Sequence, residues 1–451
     1  MLFRIALFLL CLGAGASASA SAADWARFLG PNGDGTSPET GLIDQIPAGG
    51  PPVKLDLAVG TGYAAPSVLG GKLALFHRLG DTEVLQILEV ATGKPVWRHA
   101  YPTSYRDPYG YNNGPRAAPL MTSNRVYTFG AEGKLTCLNL QTGAEIWQRD
   151  TAKDFEVPEA FFGVGTTPIL EGGKLIVMVG GQPNSGVVAF DPETGKTLWE
   201  SVGEKNWQGQ PMLGWAGDRS VEWRRWEKQA SYSSPVPATI GGKRWVFCLM
   251  RQGLVGLDPA DGSVRFSRWF RARVDESVNA ANPVVLGDDV LISSAYYKTG
   301  SVLLRVGSGT PAFTEKWKGL GLEMHWSTPV HVNGHLYGFS GRNEPDAVFR
   351  CIEFGTGAVK WEREERWAAH SAERPTVFGR GALILADGKL FAIGEGGLFG
   401  IFRPNAEKCD EVGRWQVPSL HHPCWAGPVL SNGLLFLRCE DRLVALDLTR
   451  H

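Results

Sequence analysis

The sequence predicts an all-β chain folded as an eight-bladed β-propeller of four-stranded antiparallel blades. Three observations carry this prediction: a turn-and-aromatic motif that recurs about every 52 residues, a second motif that opens apolar runs at the same interval, and a final unit that lacks one strand. A unit of this length cannot bury both of its faces alone. Equivalent units must therefore pack on one another, as they do in propellers and solenoids.

The first motif is a short turn that contains glycine and is followed by a bulky aromatic residue. It reads LNLQTGAEIW at Trp147 and FDPETGKTLW at Trp199. Glycine adopts the positive φ that closes such a hairpin, so the ring falls at an equivalent point of each following strand. Five clear and two looser copies end at Trp97, Trp147, Trp199, Phe266, Trp317, Trp361 and Trp415.

The second motif marks the inner strand of each blade. Small or polar residues followed by proline, as in RAAP and WSTP, open an apolar run, and Ala382 stands in the proline position of the seventh unit. Proline is tolerated there because the first residue of a strand need not donate its N–H to the ladder. The runs are nearly continuous, as expected for sheets packed on both faces. The eight positions are Pro66, Pro119, Pro168, Pro235, Pro283, Pro329, Ala382 and Pro428.

The two ends of the chain are predicted to share the last blade. The final apolar run, RLVALDL, is not followed by a turn and an aromatic strand, whereas PVKLDLAV at residues 52–59 precedes the first inner strand and has no hairpin partner. Pairing these two runs gives eight outer strands for eight inner ones. The ring then closes without an exposed sheet edge.

Three segments are predicted along the chain: a signal peptide at residues 1–22, an extended N-terminal segment at 23–50, and one propeller at 51–451. Arg4 followed by a short apolar run and small residues is typical of a leader, and the run is too short to span a bilayer. We therefore expect a periplasmic or extracellular monomer without a transmembrane segment. The net charge of −1 argues against a nucleic-acid partner.

The cysteines and histidines suggest little site chemistry. Four of the six cysteines beyond the leader lie in strand runs of different blades and are predicted to be buried free thiols. Cys409 with Cys424 is the pair best suited to a disulfide, which an exported protein permits. His421 and His422 stand beside Cys424, but adjacent strand residues point to opposite faces, so no metal site is expected.

The A/D-x-x-T-G-x-x-x-W repeat resembles the PQQ-type propeller repeat of quinoprotein alcohol dehydrogenases and of the propeller lipoprotein of the outer-membrane β-barrel assembly machine. The opening DWARFLGPNGDG also resembles the start of a group of secreted bacterial proteins built only of this propeller. The resemblance covers nearly the whole chain beyond the leader. It implies the fold strongly and a function weakly, because the repeated residues serve packing between blades.

The dehydrogenases that the chain resembles stack a quinone on a tryptophan, beside adjacent cysteines and a calcium ion held next to an aspartate base. A dehydrogenase activity would therefore require these groups here. This chain has no Cys-Cys pair, and its best counterpart of the calcium site is VDESVNAANP with Asp275 and Glu276. We therefore expect no cofactor, with PQQ and calcium as the alternative. A hydrolytic, carbohydrate-active propeller is a further alternative and would depend on Glu323 with Glu373.

Residues just before the inner strands should surround the mouth of the central channel, where they could bind a protein, a peptide or a glycan. We expect a non-catalytic binding scaffold, with Arg116 as a fork for carboxylates. The fourth unit also carries a long loop, residues 204–229, whose WRRW cluster suits an interface. The predicted binding residues are Arg116, Tyr232, Asn279, His325, Trp326 and Trp425 at the mouth, and Trp223 and Trp226 in the loop.

Overall fold

The computed structural model describes residues 22–158, 160–207, 231–272, 274, 277–307, 309–367 and 376–450. In these residues the chain forms eight separate four-stranded antiparallel sheets, which are the blades of a β-propeller. The predicted fold class is therefore confirmed. Among the described residues no helix is long and apolar enough to cross a membrane.

The first four blades follow one another along the chain, each running from its inner to its outer strand. Blade 1 comprises β2 (Ser67–Leu69), β3 (Lys72–Leu79), β4 (Thr82–Glu89) and β5 (Pro95–Pro102). Blade 2 comprises β6 (Leu120–Met121), β7 (Arg125–Phe129), β8 (Lys134–Asn139) and β9 (Glu145–Asp150). Blade 3 comprises β10 (Ile169–Glu171), β11 (Lys174–Val177), β12 (Val187–Phe190) and β13 (Thr197–Ser201). Blade 4 comprises β14 (Val236–Ile240), β15 (Lys243–Leu249), β16 (Gly253–Leu257) and β17 (Val264–Trp269).

Three more blades repeat the same order, and the eighth recruits its outer strand from the other end of the chain. Blade 5 comprises β18 (Val284–Leu286), β19 (Asp289–Ser294), β20 (Gly300–Val306) and β21 (Phe313–Gly319). Blade 6 comprises β22 (Val330–Val332), β23 (His335–Ser340), β24 (Val348–Glu353) and β25 (Val359–Glu364). Blade 7 comprises β26 (Ala382–Ala386), β27 (Lys389–Ile393), β28 (Leu398–Arg403) and β29 (Asp410–Gln416). Blade 8 comprises β30 (Val429–Ser431), β31 (Leu434–Arg438), β32 (Arg442–Asp447) and β1 (Val53–Ala58).

Helical structure in the described residues is limited to single turns in the connections. One α-helical turn, α1, follows blade 2, and three 3₁₀ turns lie in loops. They span Thr151–Asp154 for α1 and Glu204–Asn206, Tyr296–Lys298 and Glu344–Asp346 for the 3₁₀ turns.

The ring closes as predicted, through β1. This strand pairs antiparallel with β32, with Val53 opposite Leu446 and Ala58 opposite Arg442. Leu55 is its buried residue, and its side chain covers Gly93 in the outer turn of blade 1. The first and last strands of the propeller are therefore joined by a ladder, and the seam has no open edge.

Neighbouring blades are locked together by the tryptophan and the glycine of the repeat. The ring of Trp147 in blade 2 lies on Gly195 in the outer turn of blade 3, where an added Cβ would approach it to 2.7 Å. The Trp147 indole N–H also donates to Pro192 O in that turn at 3.0 Å. Gly195 has φ +68, so the turn needs glycine both for its backbone and for this contact. Trp97, Trp199, Trp317 and Trp361 likewise donate to a carbonyl of the next blade.

A second set of contacts links the inner strands around the channel. In blades 3 to 6 the side chain that precedes the motif proline accepts a hydrogen bond from a backbone N–H of the previous blade. Thr167 Oγ1, for example, accepts from Ala118 N at 3.2 Å, and Asn282 Oδ1 accepts from Ser234 N at 2.7 Å. The small or polar character of the second motif thus has a physical reason, since these side chains satisfy backbone groups buried between blades.

The core is distributed between blades rather than gathered at one centre. Tyr127 and Phe129 of blade 2 pack with Val177 and Phe190 of blade 3 in one buried cluster. Each blade thus contributes both faces to its neighbours, which explains the nearly continuous apolar runs. The cysteines at 137, 248, 351, 424 and 439 are buried and free in the structure, and Cys409 is also free.

We expect Leu55→Asp to weaken the closing strand, because a buried carboxylate without a partner would face Gly93 in the seam. The cost should be about 3 kcal/mol or more. Thermal unfolding followed by circular dichroism measures the loss. Val53→Asp is the matched control, since Val53 lies in the same strand and is 47% exposed. Equal melting temperatures for the two variants would contradict the assignment of β1 to the seam.

Replacing Trp147 by alanine should lower the free energy of unfolding by about 3–5 kcal/mol, because a large buried ring would leave a cavity between blades 2 and 3. Trp147→Phe keeps an aromatic ring and should lose only about 1 kcal/mol for the missing hydrogen bond to Pro192. Denaturant unfolding of both variants checks the order. An alanine variant as stable as the parent would show that the contact of Trp147 with Gly195 contributes nothing to the free energy of unfolding.

Candidate functional site

A cavity of about 240 Å³ lies at the centre of the ring, and we call it the channel cavity. Loops that lead into the inner strands of all eight blades contribute to its wall, together with the N-terminal segment. The wall side chains discussed below are Tyr63, Tyr111, Arg116, Phe162, Tyr232, Tyr296, His325, Trp326, Arg380 and Trp425.

Five rings follow one another along one side of this wall, and we call them the aromatic arc: Tyr63, Trp425, Tyr111, Phe162 and Tyr232. The centroids of successive rings are 5.1, 5.9, 5.9 and 5.4 Å apart. The rings are tilted rather than stacked, so their edges and faces both remain available for a bound group. Tyr111 is 54% exposed, which makes it the most exposed ring of the arc.

The N-terminal segment forms the floor of the channel cavity. Trp25, Phe28 and Leu29 line it, and Trp25 is only 2% exposed. Backbone hydrogen bonds join Trp25 to Val68 of blade 1 in both directions, at 2.8 and 2.9 Å. The segment also pairs with Leu385 of blade 7, so it contacts the inner strands of blades 1 and 7. The cavity therefore has an apolar floor opposite the loops of the mouth.

The GPNGDG sequence after this floor is a turn that packs on it. Gly30 has φ +80, and an added Cβ would lie 2.8 Å from the Trp25 ring. Arg27 donates to Pro31 O at 2.8 Å and so closes the turn. Glu39 then accepts from the backbone N–H groups of Asn432 and Gly433 at 2.8 and 2.7 Å, which ties the segment to blade 8.

Arg116 points into the wall of the cavity but is bound by its own loop. Its Nη2 donates to Asp107 Oδ2 at 2.5 Å and to Asn112 O at 3.0 Å. The guanidinium also lies 5.8 Å from the centroid of the Tyr63 ring. Its charge is therefore balanced by Asp107, whose side chain is fully buried. The carboxylate fork predicted at Arg116 already holds a carboxylate of this chain.

Arg380 on the same wall is balanced by two carboxylates. Its Nη2 donates to Glu395 Oε2 at 2.8 Å and to Glu344 Oε1 at 2.6 Å. Glu395 is completely buried and also accepts from the indole N–H of Trp425 at 2.9 Å. Burial alone would raise the pKa of Glu395, but the charge and hydrogen bonds of Arg380 outweigh it and hold that pKa below its ordinary value. The carboxylate is therefore ionised at neutral pH and orients the Trp425 ring.

His325 is a neutral member of the wall. Its Nδ1 lies 3.4 Å from the Arg380 guanidinium, and its Nε2 lies 3.4 Å from the Tyr296 hydroxyl. Burial, followed by the charges of Arg380 and Arg342, holds the pKa of His325 well below its ordinary value. Trp326 lines the cavity beside it, and its indole N–H is enclosed with no hydrogen-bond partner among the described residues.

The structure thus places Arg116, Tyr232, His325, Trp326 and Trp425 on one cavity wall. Their role in binding stays a prediction. Trp223 and Trp226 lie outside the described residues, as do Asp275, Glu276 and Glu373.

Asn279 is a correction to the predicted rim. It is fully buried, and its side-chain amide donates to Met250 O and Phe270 O, both at 2.9 Å. A side chain just before an inner strand can face the channel, or it can turn away and hydrogen-bond to buried backbone groups. The sequence does not distinguish these two orientations. Asn279 thus supports the loop that carries Tyr232, whose N–H donates to Asn279 O at 3.0 Å.

The structure contains no disulfide between Cys409 and Cys424, the pair that the sequence singled out for a test. Cys409 and Cys424 are both free and belong to different buried clusters, one shared by blades 6 and 7 and the other containing blade 8. The thiol that interacts with Cys424 is that of Cys439, from the turn between β31 and β32. The two histidines beside Cys424 point in different directions, although they lie in a loop and not in a strand as the sequence reasoning assumed: His421 faces Asp441, whereas His422 faces Glu395.

Several wall residues were missed by the sequence reasoning. Tyr111, Phe162 and Arg380 lie in the loops before inner strands, but farther from the motif proline or in the unit without one. Searching the whole of each loop for rings and guanidinium groups would have found them. Trp25 and Phe28 belong to the opening motif DWARFLGPNGDG, and nothing in the neighbouring sequence indicates that this motif lies at the channel.

Comparisons with known proteins agree with this architecture. The family profile described as "Outer membrane protein assembly factor BamB" matches residues 80–363. The crystal structure of BamB from Moraxella catarrhalis superposes with a TM-score of 0.56 at 13% identity, over 88% of this chain and 99% of that chain. The quinohemoprotein alcohol dehydrogenase of Comamonas testosteroni superposes with a TM-score of 0.62 at 12% identity, over 95% of this chain and 81% of that chain. At these identities the likeness concerns the fold.

Two curated relatives match shorter parts of the sequence. Polyvinylalcohol dehydrogenase of Sphingopyxis sp. (strain 113P3) is 26% identical over 190 residues, which are 41% of this chain and 25% of that protein. Quinohemoprotein alcohol dehydrogenase ADH-IIG of Pseudomonas putida is 28% identical over 151 residues, which are 32% of this chain and 20% of that protein. The matches therefore span a quarter or less of the length of these relatives.

Glu395→Gln should destabilise the fold at neutral pH by about 3–5 kcal/mol, because it leaves a buried guanidinium with one carboxylate instead of two. Since the pKa of Glu395 is lower in the folded than in the unfolded chain, its contribution is present above the unfolded value of about 4.3 and disappears as the pH falls below it. The difference in melting temperature between parent and variant should therefore shrink on acidification.

Melting curves recorded from neutral to acid pH test this expectation. Glu364→Gln is the control, because the Glu364 side chain is 68% exposed, and it should melt like the parent throughout. If the melting temperature of Glu395→Gln lay below that of the parent by the same amount at every pH, the lost interaction would not depend on the charge of Glu395.

Proposed function

The chain belongs to the family of outer membrane protein assembly factor BamB, and from that premise we propose that it is an exported, non-catalytic binding protein. Its channel cavity would hold an apolar or aromatic side chain of a partner protein segment. The one observation that carries this proposal is the combination of an aromatic wall with charged groups that are already paired within the chain. Such a cavity offers contact area without demanding a charged ligand.

The shape of the cavity favours a side chain over an extended ligand. Its volume of about 240 Å³ suits one or two large side chains, and its floor is apolar at Trp25, Phe28 and Leu29. A sugar would need several free donors and acceptors at that depth. The two guanidinium groups on the wall are instead committed to the protein, Arg116 to Asp107 and Arg380 to Glu395. A peptide segment can present one apolar side chain to the floor and leave its polar backbone at the mouth.

Aromatic residues are also the groups that anchor protein interfaces most often. Their rigid rings bury a large area at a small cost in conformational entropy. Tyr111 is the exposed ring in the middle of the aromatic arc, and it contacts the less exposed rings of Trp425 and Phe162 on its two sides. This graded arrangement would let a partner meet Tyr111 first and then bury its side chain against the deeper rings.

Export supports the choice of partner. The leader-like segment at residues 1–22 and the family membership together favour a periplasmic or extracellular location, which suits an exported partner protein. Cys137, Cys248 and Cys351 are free thiols buried in strands, which suits a compartment that permits disulfides without requiring them here.

A quinone-dependent dehydrogenase remains the second candidate, because both curated relatives described above are dehydrogenases. PQQ carries carboxylates and would need cationic groups and a calcium ion held by oxygen ligands. No aspartate or glutamate side chain lines the cavity among the described residues, and Arg116 and Arg380 are already neutralised. The described wall therefore fits PQQ with calcium poorly. Reconstitution with PQQ and calcium, followed by absorbance and dye-reduction assays, tests this candidate.

Tyr111→Ala should weaken binding of a captured peptide by at least about tenfold, since a central aromatic anchor contributes about 2 kcal/mol. A displayed peptide library panned on the purified protein supplies the probe, and fluorescence titration measures its dissociation constant. Tyr109→Ala is the matched control, because Tyr109 is 49% exposed in the same loop but does not line the cavity. Its affinity should stay close to that of the parent.

Melting curves of both variants must coincide with the parent, because both side chains are about half exposed and take no part in the tryptophan–glycine or inner-strand contacts that lock the blades. A glycan array run in parallel separates the classes of ligand. Failure to select any peptide, selection of a glycan instead, or an equal loss of affinity in Tyr111→Ala and Tyr109→Ala would each contradict the proposal.

A further inference from the structure

A group of metal-ligating side chains lies on blade 8, outside the channel cavity. His421 belongs to the loop before β30, and Cys439 and Asp441 flank the turn between β31 and β32. His421 Nε2 lies 2.8 Å from Asp441 Oδ1, and Cys439 Sγ lies 3.3 Å from the same oxygen. All three ligand atoms are within 4.8 Å of one another. One nitrogen, one sulfur and one oxygen thus converge on a single point.

The backbone around this group presents the histidine in the form that a metal requires. His421 Nδ1 lies 3.0 Å from the carbonyl oxygen of His422. A carbonyl can only accept, so Nδ1 carries the proton and the lone pair of a neutral ring lies on Nε2, which faces Cys439 and Asp441. A histidine fixed by a carbonyl at its other nitrogen is the usual arrangement in protein metal sites.

Neighbouring contacts hold the backbone of His421 and of Asp441 in place. Cys424 Sγ donates to His421 O at 3.1 Å, and the Asp441 carbonyl accepts from Val59 N at 2.8 Å. Cys439 is only 1% exposed, whereas the side chains of His421 and Asp441 are 47% and 62% exposed. A cation could therefore enter from solvent past the histidine and the carboxylate and reach a thiolate held beneath them.

We propose that His421 Nε2, Cys439 Sγ and Asp441 Oδ1 bind one divalent cation of the zinc type, with water in the fourth position. Sulfur, imidazole nitrogen and carboxylate oxygen are the three donor types that zinc accepts, and three protein ligands plus water is an established tetrahedral set. Binding would replace the thiol proton of Cys439, which is released to solvent. The magnesium and calcium ions prefer oxygen ligands and would not be held by this set.

Such an ion would join three parts of the seam. His421 lies on the loop that carries Trp425 to the channel cavity, Cys439 directly follows β31, and Asp441 is hydrogen-bonded to the segment that follows β1. Ligand binding to the folded state alone raises its stability in proportion to the logarithm of ligand concentration over the dissociation constant. The melting temperature should therefore rise on addition of zinc. This site is independent of the proposed function, since none of its three ligands lines the cavity.

Cobalt(II) is the probe, because a tetrahedral cobalt–thiolate bond gives an absorption band that oxygen and nitrogen ligands alone do not. The protein is purified from the exported fraction without chelator or reductant, and its intact mass is measured first to establish that Cys424 and Cys439 are reduced. Titration should then show one equivalent of cobalt with the thiolate band, and zinc should displace it. The contacts of His421 would also be made by a protonated imidazole that pairs with the Asp441 carboxylate. The thiolate band therefore distinguishes a metal ion at the site from a proton on His421.

Cys439→Ser should abolish the thiolate band, and His421→Ala should weaken cobalt binding by at least about tenfold. His421→Ala keeps the test valid if Cys439→Ser fails to fold, because His421 is half exposed. His422→Ala is the matched control, since the neighbouring histidine faces Glu395 instead, and it should bind cobalt like the parent. A Cys424–Cys439 disulfide in the exported protein, no thiolate band in the parent, or an unchanged band in Cys439→Ser would each overturn the proposal.

Discussion

The contact between a tryptophan and the turn glycine of the next blade is the constraint on which the rest of this propeller depends. The ring of Trp147 occupies the space that any side chain at Gly195 would need, and its indole N–H satisfies a carbonyl of the same turn. One contact thus sets the spacing, the angle and the polar pairing of two blades. Repetition of this contact turns a series of hairpin sheets into a ring.

At the seam the ring closes with substitutes for that contact. Leu55 of β1 covers Gly93 of blade 1, and Trp415 of blade 7 lies on Gly50 just before β1. Each of these two contacts still joins a glycine to a large apolar side chain, although neither contact is made by two complete copies of the repeat. The physical requirement at the seam is therefore a close approach of a large side chain to a bare backbone, and the chain meets it with residues from its two ends.

Because the blades are locked at their outer turns and along their inner strands, the loops at the mouth are free to vary in chemistry. Arg116 and Arg380 use this freedom to hold aromatic rings rather than to attract a charged ligand, since each is neutralised by a carboxylate of this chain. The aromatic arc consequently lies on a rigid wall. A preorganised apolar surface of this kind loses little conformational entropy when a partner binds.

The repeats by themselves determined the number of blades, the four strands of each and the closure through residues 52–59, because hairpin turns and strand periods depend on residues close in sequence. Most of the cavity wall could also be placed, since residues such as Trp425 stand next to a recognisable strand. Only the tertiary structure decided that Asn279 is buried, that Trp25 forms the floor, and that Cys439 rather than Cys409 lies beside Cys424. These outcomes depend on which loops the closed ring brings together, and that proximity is a property of the assembled blades and leaves no local pattern in the chain.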